Sequence, residues 1–328
     1  MAGTGNTTAN TSAVIRAQVY SSVILDEIKG GFLPEGMHRD VSDFQDGDTL
    51  TIPTFGEVVL RDVQEDQDIP VDAIDTGTIS LVISEYTGAG SYLTDKVKQD
   101  GYLSREFDAM IVPKHLRAIK EKWESDLLAT ANSQTLSNPN AINGHAHRYV
   151  ASGTNDVITI QDFVYAKLAM DKAEIPSEGR ILVCDPVVEA TLNNLTNLVN
   201  VSNNPRFEGI VEMGFAKNMT FVKNIFGFDV FVSNRLPTVD NETVDTTSIT
   251  VPAPSGNGSV PAGVTNQFMC LADDLVKPYM GAFREIPNTE GFRNVPKKRD
   301  EFYTTGRWGF GLQRPQSLIS LLTSRAHY

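Results

Sequence analysis

Residues 94–131, TDKVKQDGYLSREFDAMIVPKHLRAIKEKWESDLLATA, are the longest helix-compatible stretch of the chain, and their reading decides the fold. Thirty-odd residues at 1.5 Å each predict a rod of roughly 45 Å. Leu103, Phe107 and Met110 recur at three-to-four spacing, and so do Leu116, Ile119, Trp123 and Leu127. At about 100° per residue the two sets fall on nearly opposite sides of the rod. Pro113 stands between them and removes one helical hydrogen bond, which predicts a kink or a short break. A rod with two differently aimed apolar faces is expected to pack against two different bodies.

Upstream of the rod, TLTIPTFGEVVL (49–60) and TISLVISEY (78–86) alternate as strands, with Ile79, Leu81 and Ile83 on one face. Pro53 limits the first of them to an edge or a bulge. The connection, residues 61–77, carries Asp62, Glu65, Asp66, Asp68, Asp72 and Asp75 against Arg61, a net of −5. Two strands joined this way predict a protruding hairpin with a long acidic tip, a loop length that is usually functional. The acids lack the alternate-position spacing of a calcium loop, so they read as a solvated tip. YTGAGSY (86–92) has two of the three glycines of a dinucleotide fingerprint but no βαβ setting, and it reads as a turn.

Downstream of the rod lies a loop-rich passage, 132–156, in which His145 and His147 share a face and read as a surface pair without a third metal ligand. A helix capped near Thr159 or Gln161 follows, then RILVC (180–184) as a buried strand and a second helix with Asp185 as cap and Pro186 at its first position. Phe228, Val230 and Val232 alternate as a strand. Residues 238–266 are rich in Gly, Pro and Thr and predict an exposed inserted loop. Residues 281–299 reverse the charge, with five basic and two acidic side chains, net +3. Phe302–Leu312 reads as one long strand, followed by a turn at Pro315 and a short apolar segment.

The totals narrow the function. A net charge of −13 and a pI near 4.8 argue against a nucleic-acid-binding face. No run approaches eighteen apolar residues, so no membrane-spanning helix is predicted. Cys184 and Cys270, in apolar runs, read as buried free thiols made in a reducing compartment. The first twelve residues, MAGTGNTTANTS, read as a polar arm before a helix over 13–29 capped by Ser12 and stopped at Gly30-Gly31. The five histidines have no Ser or Cys nucleophile in a recognisable setting, and neither a phosphate loop nor a cofactor motif is present in the sequence. Asp185 ends a strand as some catalytic acids do, but its cap role already accounts for it.

The order of parts resembles the major capsid proteins of tailed bacteriophages with the HK97-type fold, an α+β architecture. The residues that carry the resemblance are GDTLTIPTFGEVVLRD and TGTISLVISEYTGAGSYLTDKVKQD for hairpin into spine helix. INGHAHRYVASGTND, ILVCDPVVEATLNNLTNLVNVSNNPRFEGIVEMG and NIFGFDVFVSNRLP carry it for the axial part. It covers the chain from about Ala13 to Leu322. It implies an arm and first helix (1–45), an E-loop hairpin (46–93), a peripheral domain with the spine (94–155), an axial domain (156–280) and a return to the peripheral domain (281–328). It also implies a non-enzymatic shell subunit with no cofactor and no metal, forming hexamers and pentamers around DNA without sequence-specific binding and without a membrane. Localisation would be the virion, after assembly in the host bacterial cytoplasm.

Physics supports the same expectation, because a projecting hairpin and a two-faced rod are devices of a protein completed by copies of itself. The acidic tip is expected to meet Arg293, Lys297, Lys298 and Arg299 of a neighbour, and Pro113 to be a bend in the spine. About a dozen residues precede the first helix and begin with Met1, which favours a separate scaffolding protein over a cleaved extension. No lysine lies between Asp46 and Thr94, so a hairpin-lysine cross-link is not expected, leaving non-covalent contacts or a decoration protein. A portal is a further implied partner. The rival readings are an encapsulin-like compartment shell, a tail or appendage subunit, and an α/β enzyme with Asp185 at the strand end.

Overall fold

The structure is a computed structural model that describes residues 36–42, 47–55, 76–100, 104–133, 139–194 and 224–327. The expected arm, the first helix, the acidic tip, and Leu195 to Lys223 lie outside these residues. The elements in order begin with strands β1 (His38–Asp40), β2 (Thr49–Phe55), β3 (Thr76–Val82) and β4 (Glu85–Thr94), then helices α1 (Asp95–Asp100) and α2 (Ser104–Ala129). Short strands β5 (Ala141–Ile142), β6 (His145–Ala146) and β7 (Arg148–Val150) lead to α3 (Ile160–Lys172), β8 (Arg180–Cys184) and α4 (Pro186–Asn194). The chain ends in β9 (Asn224–Ile225), β10 (Phe228–Val232), β11 (Thr238–Asp245), β12 (Asn257–Cys270), β13 (Tyr279–Asn294), β14 (Arg299–Leu312) and β15 (Leu318–Ser324).

Two sheets organise the molecule. A seven-stranded sheet runs β7-β15-β12-β8-β10-β9, with β11 paired to β12. All five residues of β8 are buried because both faces of this sheet are covered. Leu182 and Cys184 point to a core with Phe163, Ala166 and Met170 of α3 and Val188 and Leu192 of α4. Ile181 and Val183 point the other way, to Leu127 and Leu128 of α2 with Tyr279 and Leu318. Thr159 starts α3, and the fully buried Asp162 accepts hydrogen bonds from the Thr159 N–H (2.8 Å) and hydroxyl (3.0 Å), so the expected cap is present.

The second sheet runs β1-β13-β14-β4 and lies along α2. Its long hairpin pairs Tyr279 with Leu312 at one end and Asn294 with Arg299 at the other. The register shifts between Phe283 and Asn288, around Pro287, which cannot donate to a ladder. The expected long strand is therefore present, as one side of this hairpin. The strands β2 and β3 form a separate two-stranded hairpin, with Pro53 opposite Thr78. Leu81 and Ile83 anchor it to Met280 and Ala282, with Leu50, Ile52 and Ile79 packed around them.

Several expectations change. The YTGAGSY segment is not a turn: it lies within β4, paired to β14 over ten residues. Tyr303 and Thr305 cover the places where Gly88 and Gly90 have no side chain, so a non-local partner overrides the local glycine signal. The rod expected from Thr94 to Ala131 is described as α1 and α2, with Thr94 in β4 and a 3₁₀ turn from Thr130 to Ser133. Helix α2 runs through Pro113 without a break, and Pro113 is exposed, where solvent can take up the lost bond. Leu116, Ile119 and Leu127 are buried as expected.

Residues 238–266 are not an exposed loop but the paired strands β11 and β12, burying Val239, Val244 and Val260 with Val150 and Leu322, while Val264 joins the core with Leu127 and Leu128. Pro252, Pro254 and Gly256 lie between the strands and Gly258, Pro261 and Gly263 within β12, while the valines supply the buried face. The expected division at 155 also differs from the sheets, since β7 pairs with β15. Likewise β15, expected in the peripheral part, is an inner strand of the seven-stranded sheet, and β4 belongs to the four-stranded sheet rather than to the projecting hairpin.

Candidate functional site

The groups singled out for chemistry each have a structural occupation. The Asp185 carboxylate accepts the Val187 N–H at 3.1 Å, an N-cap of α4. Cys184 and Cys270 are free and fully buried, and burial pushes the Cys184 thiol up to about 12. His145 and His147 are buried rather than a surface pair, because β6 and β7 lie against the β11–β12 hairpin and the sheet. Among the described residues no group of three or more His, Cys, Asp or Glu side chains could hold a metal ion.

Burial lowers the His147 pKa from 6.5 to about 4. The unfolded chain takes up this proton near the higher value and the folded chain near the lower one. The stability contributed by the neutral ring is thus full above about pH 6.5 and falls, by on the order of 3 kcal/mol, as pH drops toward 4. His147→Gln should flatten this part of the pH dependence in denaturant unfolding curves, and an unchanged slope would place the proton uptake elsewhere.

Among the described residues the groups singled out are thus accounted for structurally, and the surfaces left open are the candidate site. The four-stranded sheet has one covered and one open face. On the covered face, His115 of α2 hydrogen-bonds Ser91 at 2.5 Å and Thr304 at 3.3 Å, and Trp308 donates its indole N–H to Asp126 at 3.1 Å. On the open face, the rows Phe292–Glu301–Tyr92 and Glu290–Tyr303–Gly90 stand side by side. Tyr86, Tyr92, Phe292 and Tyr303 are all exposed there, with Val295 at the hairpin end. Scattered apolar residues are normal on a surface, but aromatic side chains gathered on one sheet face mark a contact area. Sequence reasoning missed this face; its signal was the i, i+2 spacing of Tyr86 and Tyr92 relative to the two glycines, legible only once the segment is known to be a strand.

The basic group expected to receive an acidic tip sits at the end of the β13–β14 hairpin. Lys297 and Lys298 are exposed in its turn. Arg293 is already engaged within the chain, reaching Asp95 at 2.6 Å and Asp300 at 2.8 Å, and it holds the Asp95 carboxyl below the usual range. Arg299 pairs with Glu301 at 2.5 Å and lies over the Tyr92 ring at 4.5 Å. Thus two of the four cations first shape the hairpin end, and the two lysines are its outward charge. Asp62, Glu65, Asp66, Asp68, Asp72 and Asp75 lie outside the described residues.

The family model of phage capsid proteins matches residues 76–321, three quarters of the chain. The chain belongs to the phage capsid protein family. This capsid protein is a shell-forming structural subunit, and solved structures agree on its fold. It is similar to the capsid of the cyanophage P-SCSP1u, with a TM-score of 0.64, 14% identity, and 89% of this chain and 87% of that one covered. The mature capsid of bacteriophage PhiM1 gives a TM-score of 0.60, 14% identity and coverage of 89% and 87%. A virus-like particle from Pyrococcus furiosus gives 0.52, 11% identity and coverage of 94% and 99%. No curated protein matches the sequence. The fold of the capsid protein is accordingly the HK97-like α+β fold, and its place is in the virion.

Proposed function

We propose that this capsid protein is the main subunit of an icosahedral shell of hexamers and pentamers enclosing the double-stranded DNA of a tailed phage, and that it has no catalytic role. The observation that carries this reading is the open aromatic face of the four-stranded sheet beside a separate two-stranded hairpin, in a member of the phage capsid protein family. Both features are completed by a second copy in a ring-closing contact. The net charge of −13 suits a container wall that does not hold packed DNA tightly. A portal, a separate scaffolding protein, a possible decoration protein and assembly in the host bacterial cytoplasm complete the proposal. An encapsulin-like shell shares the fold, and the match to the phage family favours the phage reading. Electron microscopy of the purified protein tests it: round, uniform shells support it, and monodisperse particles of one or two subunits overturn it.

Within that shell we assign the acidic 61–77 segment, net −5, to the basic 281–299 segment, net +3, of a neighbour. Exposed ion pairs contribute about 0–1 kcal/mol each, so they register copies more than they bind them. Changing Asp66 and Asp68 to Lys should impair assembly, and reversing Lys297 and Lys298 to Glu in the same chain should restore it. Normal particle yield from the first variant alone would refute the pairing.

A further inference from the structure

The place where the two sheets meet is fixed by directed polar contacts inside an apolar seam. Glu124 on α2 is buried, with a relative exposure of 3%. Its carboxylate accepts the Ser233 hydroxyl at 2.5 Å and the Arg235 guanidinium at 3.3 Å, both from the segment leaving β10 of the seven-stranded sheet. The second nitrogen of the same guanidinium reaches Glu121, one turn earlier on α2, at 2.9 Å. Arg235 therefore straddles two carboxylates on one helix face, and Arg117 supports Glu121 from the other side at 2.9 Å. At the end of α2, Gln267 of β12 donates to the Leu128 carbonyl at 2.8 Å and accepts the Tyr279 hydroxyl at 2.8 Å. Tyr279 begins β13, so this second joint ties helix, seven-stranded sheet and four-stranded sheet together.

Around these joints lie Leu127, Leu128, Leu236 and Met269, whose packing is non-directional. A packed helix can slide on such a surface by small shear steps. A forked guanidinium on two carboxylates one turn apart cannot follow a slide without breaking, because its geometry is fixed and a buried carboxylate left alone is costly. We infer that the Arg235 clasp on Glu121 and Glu124 sets the angle between the two sheets, and through it the curvature of the assembled shell. Arg235 and Glu124 are positioning residues in this reading, which rests on the shell function proposed above. In a closed assembly a small change of angle per subunit is repeated in every copy and alters the number of copies at which the surface closes.

The test is particle diameter by electron microscopy of full-length Arg235→Met and Glu121→Gln, with the melting curve of each as control. The expected result is a rise in off-size or irregular particles, from about 1% to about 10% if the clasp supplies one decade of bias. Arg235→Lys, which keeps the charge and loses the fork, should fall between. Glu121→Gln removes one prong at a half-exposed carboxylate and leaves no buried charge behind, so it carries the test if Arg235→Met does not fold. Folded variants with the wild-type diameter distribution overturn the inference. Failure of the wild-type protein to form shells would instead overturn the shell reading on which it rests.

Discussion

Arg148→Met should destabilise the subunit by about 3–5 kcal/mol, the usual cost of removing one partner from a buried ion pair. Arg148, in β7, is fully buried, and its guanidinium holds Glu242 of β11 through Nε at 2.6 Å and Nη2 at 2.8 Å. Removing it leaves a buried carboxylate with no counter-charge inside the β11–β12 hairpin. The hairpin is packed closely at this place, since a Cβ on Gly258 would stand 2.6 Å from the Val150 side chain, which leaves no room for water beside it. The double variant Arg148→Met with Glu242→Leu should recover most of the loss, because two apolar groups of similar volume need no charge compensation. Urea unfolding of the dissociated subunit measures both, and equal losses in single and double variants would show that packing rather than charge dominates. The pair also makes the 238–266 segment an integral part of the sheet.

Trp308→Ala should cost about 3–5 kcal/mol, the range for deleting a buried aromatic side chain. Trp308 is fully buried on the face of the four-stranded sheet that α2 covers. It meets Phe283 at 6.5 Å between ring centroids, and Phe283 in turn stacks on Trp123 of α2 at 6.3 Å. Loss of the indole opens a cavity between helix and sheet, so assembly should fail together with subunit stability. Trp308→Phe keeps a ring and loses the N–H donor. Asp126 still has Lys122 at 2.5 Å, so this variant should lose only about 1–2 kcal/mol. If the two variants melt together, the hydrogen bond rather than the packing holds the seam.

Much of this was legible in local sequence. RILVC reads as a strand buried on both sides because its apolar run is unbroken, and it occupies an inner position in the seven-stranded sheet. Asp185-Pro186 reads as a helix start because a short acceptor and a fixed φ suit nothing else so well, and the cap is in place. The buried spacing of Leu116, Ile119 and Leu127 comes from helix geometry alone. Such features depend on neighbours within one or two turns, so the chain states them directly. The open aromatic face and the Arg235 clasp were not legible, because their residues come from segments more than 100 positions apart.

The sequence by itself determined that this is an α+β chain with a long helix after a hairpin, buried thiols and an acidic surface. Its wording also placed it near the phage capsid proteins. Only the tertiary structure decided that YTGAGSY is a strand, that 238–266 is a paired hairpin, that His145 and His147 are internal, and that β15 lies inside the seven-stranded sheet. In each case the deciding partner is distant in sequence: Tyr303 and Thr305 for the glycines, Arg148 for Glu242, β12 for β15. Local propensities differ by only about 1 kcal/mol per residue. A ladder of cross-strand bonds and a buried face outweigh that, and no single stretch of chain contains both sides of either.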